Sequence, residues 1–267
     1  MDEILALLLK NDLGTAILLL GLCATRIVPV LTVTPFIGGR LVPAPAKIGL
    51  AVLLAVLLWP LVMRGPSLAA RAPLEIALLF VKEGLVGLAI ALSASLLFFA
   101  VESAGRIADT VIGSSMAESL VPQSGTRASP ASDLFLQLSI VIFLALGGHR
   151  MFLSVLARSY EVLPLAALPS QAGLGAMALG MVAMTAKMLA LAVGLAAPVI
   201  LATLLADVAL GLVNRVAPQL NAWVLAMPVK ALLGGFFLLL TLTVVVDTVS
   251  QGGVLTDALR TVHGLGR

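Results

Sequence analysis

Apolar residues in this chain come in long, nearly unbroken runs, and the polar residues gather between the runs. A helix needs about 20 apolar residues to cross a bilayer. On that measure six segments stand out: Leu13–Ile37, Ile48–Met63, Leu74–Val101, Asp133–Leu156, Leu174–Val213 and Ala222–Val249. No low-complexity linker or polar domain interrupts them, so the pattern predicts an all-α polytopic membrane protein forming one domain over 1–267. The fifth run would measure about 60 Å as a straight helix, twice the hydrocarbon thickness. It is expected to bend, break or leave the bilayer, and Pro198 is the obvious break. Small residues recur at spacing four, as Gly87, Ala91 and Ser95 and again as Ala186, Ala190 and Gly194. Such stripes allow close helix contact.

Two stretches break the apolar rhythm. Residues 102–132 read ESAGRIADTVIGSSMAESLVPQSGTRASPAS, and their Gly, Ser and Pro content argues against an uninterrupted helix. Yet Ile107, Val111, Ile112, Met116 and Leu120 keep the interval partly apolar, which a fully solvated loop would not need. A loop this long is uncommon and often functional. The second stretch, NRVAPQLNAWVLAMPVK, covers residues 214–230. Pro218 and Pro228 each lack an N–H and disfavour a helical residue before them, so a single continuous helix is not expected there. Asn214, Arg215, Gln219, Asn221 and Lys230 offer many donors that must find partners in an apolar setting. This stretch reads either as a polar turn at the water boundary or as a hydrogen-bonded elbow that docks on other subunits.

Composition agrees with the pattern. The chain is 61% hydrophobic and 11% charged, with a mean hydropathy of +1.16, against about 45–50% and about 25% in soluble domains. A net charge of +3 with no basic cluster gives no support to a nucleic-acid partner. The single cysteine, Cys23, excludes an internal disulfide and reads as a small buried hydrophobe. Met1–Asp12 is acidic where a secretory leader would be basic, so no cleaved signal is expected.

The charges inside the runs carry more information. Arg26 in the first run should face protein, water or the interface, because an isolated arginine at bilayer depth is costly. Lys82 and Glu83 in the third run fit two readings, snorkelling near a helix end or a buried pairing role. Lys187 and Asp207 lie in the fifth run, about 30 Å apart on a straight helix, and are expected to face partners rather than each other. Cations on the connecting segments divide almost evenly, which leaves membrane orientation open. No HExxH, GxSxG, Walker A or paired-cysteine pattern occurs, and neither His149 nor His263 sits at ligand spacing. Catalytic, cofactor and metal sites are therefore not expected. Intramembrane acids such as Glu83 and Asp207 keep one rival reading open, a proton-coupled secondary transporter with Lys82, Glu83, Lys187 and Asp207 along its path. The absence of a convincing internal repeat counts against it.

The run ADVALGLVNRVAPQLNAWVLAMPVKALLGG, with Asp207, Gly211, Arg215, Pro218, Gln219, Asn221, Pro228 and Lys230 in order, resembles the C-terminal signature of the FliR/SctT family. These are export-gate subunits of flagellar and virulence type III secretion systems. Asn214 and Met227 resemble the virulence branch more than the flagellar one. Ala222–Trp223 departs mildly from the family, which more often has a small apolar residue and then Phe. The succession Arg26, Pro29, Pro35, Pro43 and Lys47, the Lys82–Glu83 pair before a Gly-rich run, and Gly148–His149 with Ser159 and Pro164 are also similar to the family.

The resemblance implies a non-enzymatic gate component in the bacterial inner membrane, within the basal body, packed into a hetero-oligomeric helical gate. It implies partners of the FliP/SctR and FliQ/SctS kinds, an export-switch protein of the FlhB/SctU kind, membrane lipid and secreted unfolded proteins. It further implies that residues 102–132 enter and plug the pore, with Gly105, Gly113, Met116 and Pro122 as the plug positions. The glycines would permit bends there, and Met116 would supply adaptable apolar sealing.

Overall fold

Long apolar runs with few competing polar groups satisfy their backbone only as helices, and in the computed structural model of the chain helices are the regular elements found among the described residues. It describes residues 13–39, 42–62, 71–113, 129–168, 171–217, 219 and 222–250. Seven helices occur among these residues: α1 (Leu13–Val33), α2 (Ala44–Val62), α3 (Pro73–Ile112), α4 (Pro130–Ala145), α5 (Gly148–Val162), α6 (Gln171–Val216) and α7 (Ala222–Ser250). Five are long and apolar enough to cross a membrane, and α4 with α5, bent at a short break, counts as a sixth. The multi-pass, all-α expectation is met.

Local sequence explains most helix ends. α3 starts at Pro73, whose missing N–H costs nothing in the first turn, and Glu75 sits where the helix dipole favours an acid. α4 likewise starts at Pro130, with Asp133 in its first turn. Gly147 at φ +75 separates α4 from α5, a backbone conformation that glycine adopts without steric cost. α5 differs from the other helices in being amphipathic. Phe152, Val155, Leu156, Ser159 and Tyr160 form its buried face, while His149, Arg150 and Arg158 are exposed.

Two prolines behave differently from expectation. Pro228 lies inside α7, and α6 runs without interruption through Pro198; Pro29 likewise lies inside α1. A proline removes one ladder bond, but in an apolar segment the remaining backbone groups have no better partner than the helix, so the helix continues. The elbow is consequently shorter than the sequence suggested, with only residues 217–221 between α6 and α7. The 102–132 interval is also partly helical. α3 continues to Ile112, which places Gly105 inside a helix.

The chain divides into two compact units. The first contains α1, α2, α3 up to Leu96, α5 and the beginning of α6 to Met184. Its core is built on Leu22, Cys23, Ile27, Val30 and Leu31 of α1, with Val86, Ala89, Ile90 and Ala91 of α3. Gly87 permits the crossing of these two helices, since a Cβ there would collide with the Arg26 carbonyl. Phe36 meets Phe152 edge-on with ring centres 5.1 Å apart. The second unit contains the rest of α3, α4, the remainder of α6, and α7. Phe98 and Phe143 pack edge-on at 5.3 Å in its core. Much of α6 and α7 stays bare, with Leu205, Val216, Leu232 and Leu239 all more than 60% exposed.

Candidate functional site: a buried charge cluster and a polar elbow

Three of the five charges noted inside the apolar runs converge in the first unit. Arg26 of α1 and Glu83 of α3 are both fully buried. The Arg26 Nε donates to Glu83 Oε2, and Nη2 donates to Oε1 at 2.9 Å, a two-pronged pairing that suits the planar guanidinium. Nη1 reaches the Ser159 hydroxyl at 3.1 Å, and Nη2 also donates to the Leu163 carbonyl at 2.8 Å. The guanidinium carbon lies 4.2 Å from the centre of the Tyr160 ring, close enough for a cation–π attraction.

Lys82 completes the cluster. Its ammonium pairs with Glu83 Oε1 and donates to the carbonyls of Pro164, Leu165 and Ala167 at 3.1, 2.9 and 3.0 Å. One carboxylate thus compensates two cations, and backbone oxygens beyond α5 take up the remaining Lys82 donors. Of the two sequence readings for Lys82 and Glu83, the buried pairing is the one found. Beside the cluster, the Tyr160 hydroxyl donates to the Cys23 carbonyl at 3.1 Å and accepts from the Cys23 thiol at 3.4 Å.

Most of these partners were missed by sequence reasoning. Ser159 and Pro164 were visible as resembling positions, but carbonyls of an irregular segment leave no trace in residue identity. The cluster is a structural tie between α1, α3, α5 and residues 163–167.

The elbow residues lie in the second unit. Asp207 of α6 pairs with Lys230 of α7 at 2.6 Å, both at least partly exposed. This tie sits well back from the elbow itself, and Asp207 finds its partner on the next helix rather than in Lys187, as helix geometry required. Lys187 is exposed on α6. Asn214 and Arg215 are exposed in the last turn of α6, where a cation favours the helix dipole. Gln219, Met227 and Pro228 are also exposed. Around Gly194 and Gly211 there is open space on the helix surface. Pro218 and Asn221 lie outside the described residues.

Gly105 and Gly113 behave differently from each other. A Cβ at Gly105 would come within about 2.5 Å of the Ser132 backbone, so this glycine serves a close approach of α3 and α4 and not the bend expected from sequence. Gly113 closes α3 at φ +94, a conformation where other residues are strained. Asp109, unremarked in the sequence, accepts from the Ser129 hydroxyl at 2.6 Å and from the Ala131 N–H at 3.0 Å. It therefore supplies from α3 the N-terminal cap of α4 that Ser129 does not provide. Met116 and Pro122 lie outside the described residues.

Comparison with known proteins adds what geometry alone does not give. The sequence profile described as bacterial export proteins, family 1, matches residues 17–252. The flagellar biosynthetic protein FliR of Bacillus subtilis is 30% identical over 234 residues, 88% of each chain. The Yop proteins translocation protein T of Yersinia pestis is 34% identical over 218 residues, 80% of this chain and 79% of that one. The surface presentation of antigens protein SpaR of Shigella flexneri is 29% identical over 214 residues, 80% of each.

Proposed function

Because the chain belongs to the bacterial export proteins, family 1, we propose that it is a non-enzymatic component of a type III secretion export gate. The observation that carries this reading is the family match across 17–252, which takes in both the charge cluster and the elbow. We place the protein in the bacterial inner membrane, within the basal body, beside FliP/SctR-like and FliQ/SctS-like subunits and an export-switch protein. Together they form the channel that passes unfolded proteins. The relatives include a flagellar biosynthetic protein and a Yop proteins translocation protein, and we take Asn214 and Met227 to favour the virulence branch.

Physical features support a packed assembly. A helix of 46 residues such as α6 is about 69 Å long if straight, against about 30 Å of hydrocarbon. Its apolar length exceeds what lipid can cover, so neighbouring subunits must cover the rest. The bare apolar faces of α6 and α7 and the open ground around Gly194 and Gly211 suit that cover. The rival reading, a proton-coupled carrier, needs acids free to exchange protons. Glu83 is fully buried with both carboxylate oxygens engaged by Arg26 and Lys82, which favours the gate.

Native mass spectrometry of the tagged chain, purified in mild detergent from cells expressing its genomic neighbours, tests the proposal. One copy with several copies of two small membrane partners is expected. A lone monomer or a homodimer overturns the gate reading. Within that reading, Gly113, Met116 and Pro122 belong to a pore plug and Gly105 to its packed base. Deleting residues 113–120 is then expected to make the closed gate leak small solutes, and an ion-tight deletion variant removes the plug assignment.

A further inference from the structure

The charge cluster has a consequence separate from the gate reading. Arg26 is fully buried in the middle of an apolar helix, and four of its hydrogen bonds go to groups that its own helix does not supply. Only one of those groups, Glu83, carries a compensating charge. A buried guanidinium without its carboxylate is strongly disfavoured, whereas an apolar side chain in its place needs no compensation.

We propose that Glu83 governs the seating of α1: the helix takes its buried place against α3 and α5 only because this carboxylate offsets Arg26. Lys82 is secondary in this respect. Its ammonium has three carbonyl acceptors besides Glu83, so the loss of Glu83 is expected to act on α1 through Arg26. Gly87 reinforces the dependence, since the close crossing it allows brings the two helices together at the Arg26 backbone itself.

The chain carries its own reporter. Cys23, the single cysteine, stands three residues before Arg26, is fully buried, and contacts Tyr160 on α5. An unseated α1 exposes it. The test is the rate at which a membrane-permeant maleimide modifies Cys23 in the full-length chain, in native membranes with its genomic neighbours expressed.

Wild type is expected to resist modification. Glu83→Gln is expected to react about tenfold faster or more, because local opening sets the rate. Arg26→Met combined with Glu83→Gln is expected to return to near the wild-type rate, since no guanidinium remains to be offset. A carboxylate needed only for Lys82, or for packing around position 83, would leave the double variant as reactive as the single one. That result overturns the proposal, as does a Glu83→Gln rate equal to wild type. If Glu83→Gln is degraded, protein level becomes the readout. Recovery of the chain on adding Arg26→Met supports the proposal, and continued loss overturns it. Partner recovery by mass spectrometry is scored separately, so failure here leaves the gate reading standing.

Discussion

At the scale of single residues, the value of a polar group depends on what its loss leaves behind. Lys82 satisfies three backbone carbonyls, and a buried polar group without a partner costs about 1–3 kcal/mol. Lys82→Met is therefore expected to destabilise the chain by several kcal/mol, visible as a lower thermal aggregation midpoint in detergent. A midpoint within 1–2 °C of wild type, roughly within the noise of such a scan, would show that water reaches these carbonyls. Lys82→Arg should rescue only in part, because a planar fork does not reproduce the convergence of an ammonium on three oxygens. Arg26, Lys82 and Glu83 were legible as unusual from sequence, since charges inside apolar runs always are. Their arrangement was not, because it depends on carbonyl directions in 163–167 and on a helix crossing.

At the scale of elements, glycines with the same residue identity do opposite work. Gly87 and Gly105 stand where another backbone passes too close for a Cβ, while Gly194 and Gly211 face open space. Gly87→Ala and Gly105→Ala are expected to cost the isolated chain more than 1–2 kcal/mol, roughly the range for overpacking. Gly194→Leu and Gly211→Leu should leave its thermal midpoint unchanged but reduce recovery of partner subunits. Equal stability for all four variants would remove the distinction. The two small-residue stripes looked equivalent in sequence, yet only the first, at Gly87, Ala91 and Ser95, is buried. Periodicity shows that a helix has a smooth face; it does not show whether the matching surface lies in the same chain. Proline misled for a related reason. Its propensity cost is local, and the demand for backbone pairing in apolar surroundings outweighs it at Pro198 and Pro228.

For the whole molecule, six apolar runs were enough to give the all-α, multi-pass class, because apolar length is itself the membrane signal. The division into two units was not visible, since α3 and α6 contribute to both and no linker marks the boundary. The family was legible because its signature is carried by residue order, above all from Asp207 to Lys230. The polar residues there are mostly exposed, with Asn214, Arg215 and Gln219 on the surface, which leaves them accessible to the partner subunits proposed above. Arg215→Ala is accordingly expected to reduce partner recovery in native mass spectrometry while leaving the chain's own thermal midpoint within about 0.5 kcal/mol of wild type, the usual range for surface changes. A loss of stability in the isolated chain would instead assign Arg215 an internal role.

The spacing of the Arg26–Glu83 pair also turns a spatial contact into a schedule. The two residues are 57 positions apart, and a ribosome adds about 5–20 residues per second. The guanidinium is therefore synthesised about 3–11 s before the carboxylate that offsets it, on the same elongation rate. For that interval α1 exists without the group that lets it settle, and Ser159 and Leu163 arrive later still. Pulse modification of Cys23 during synchronised synthesis is expected to find the thiol reactive in young chains and shielded in older ones, and a thiol shielded from the outset would show that α1 settles without waiting.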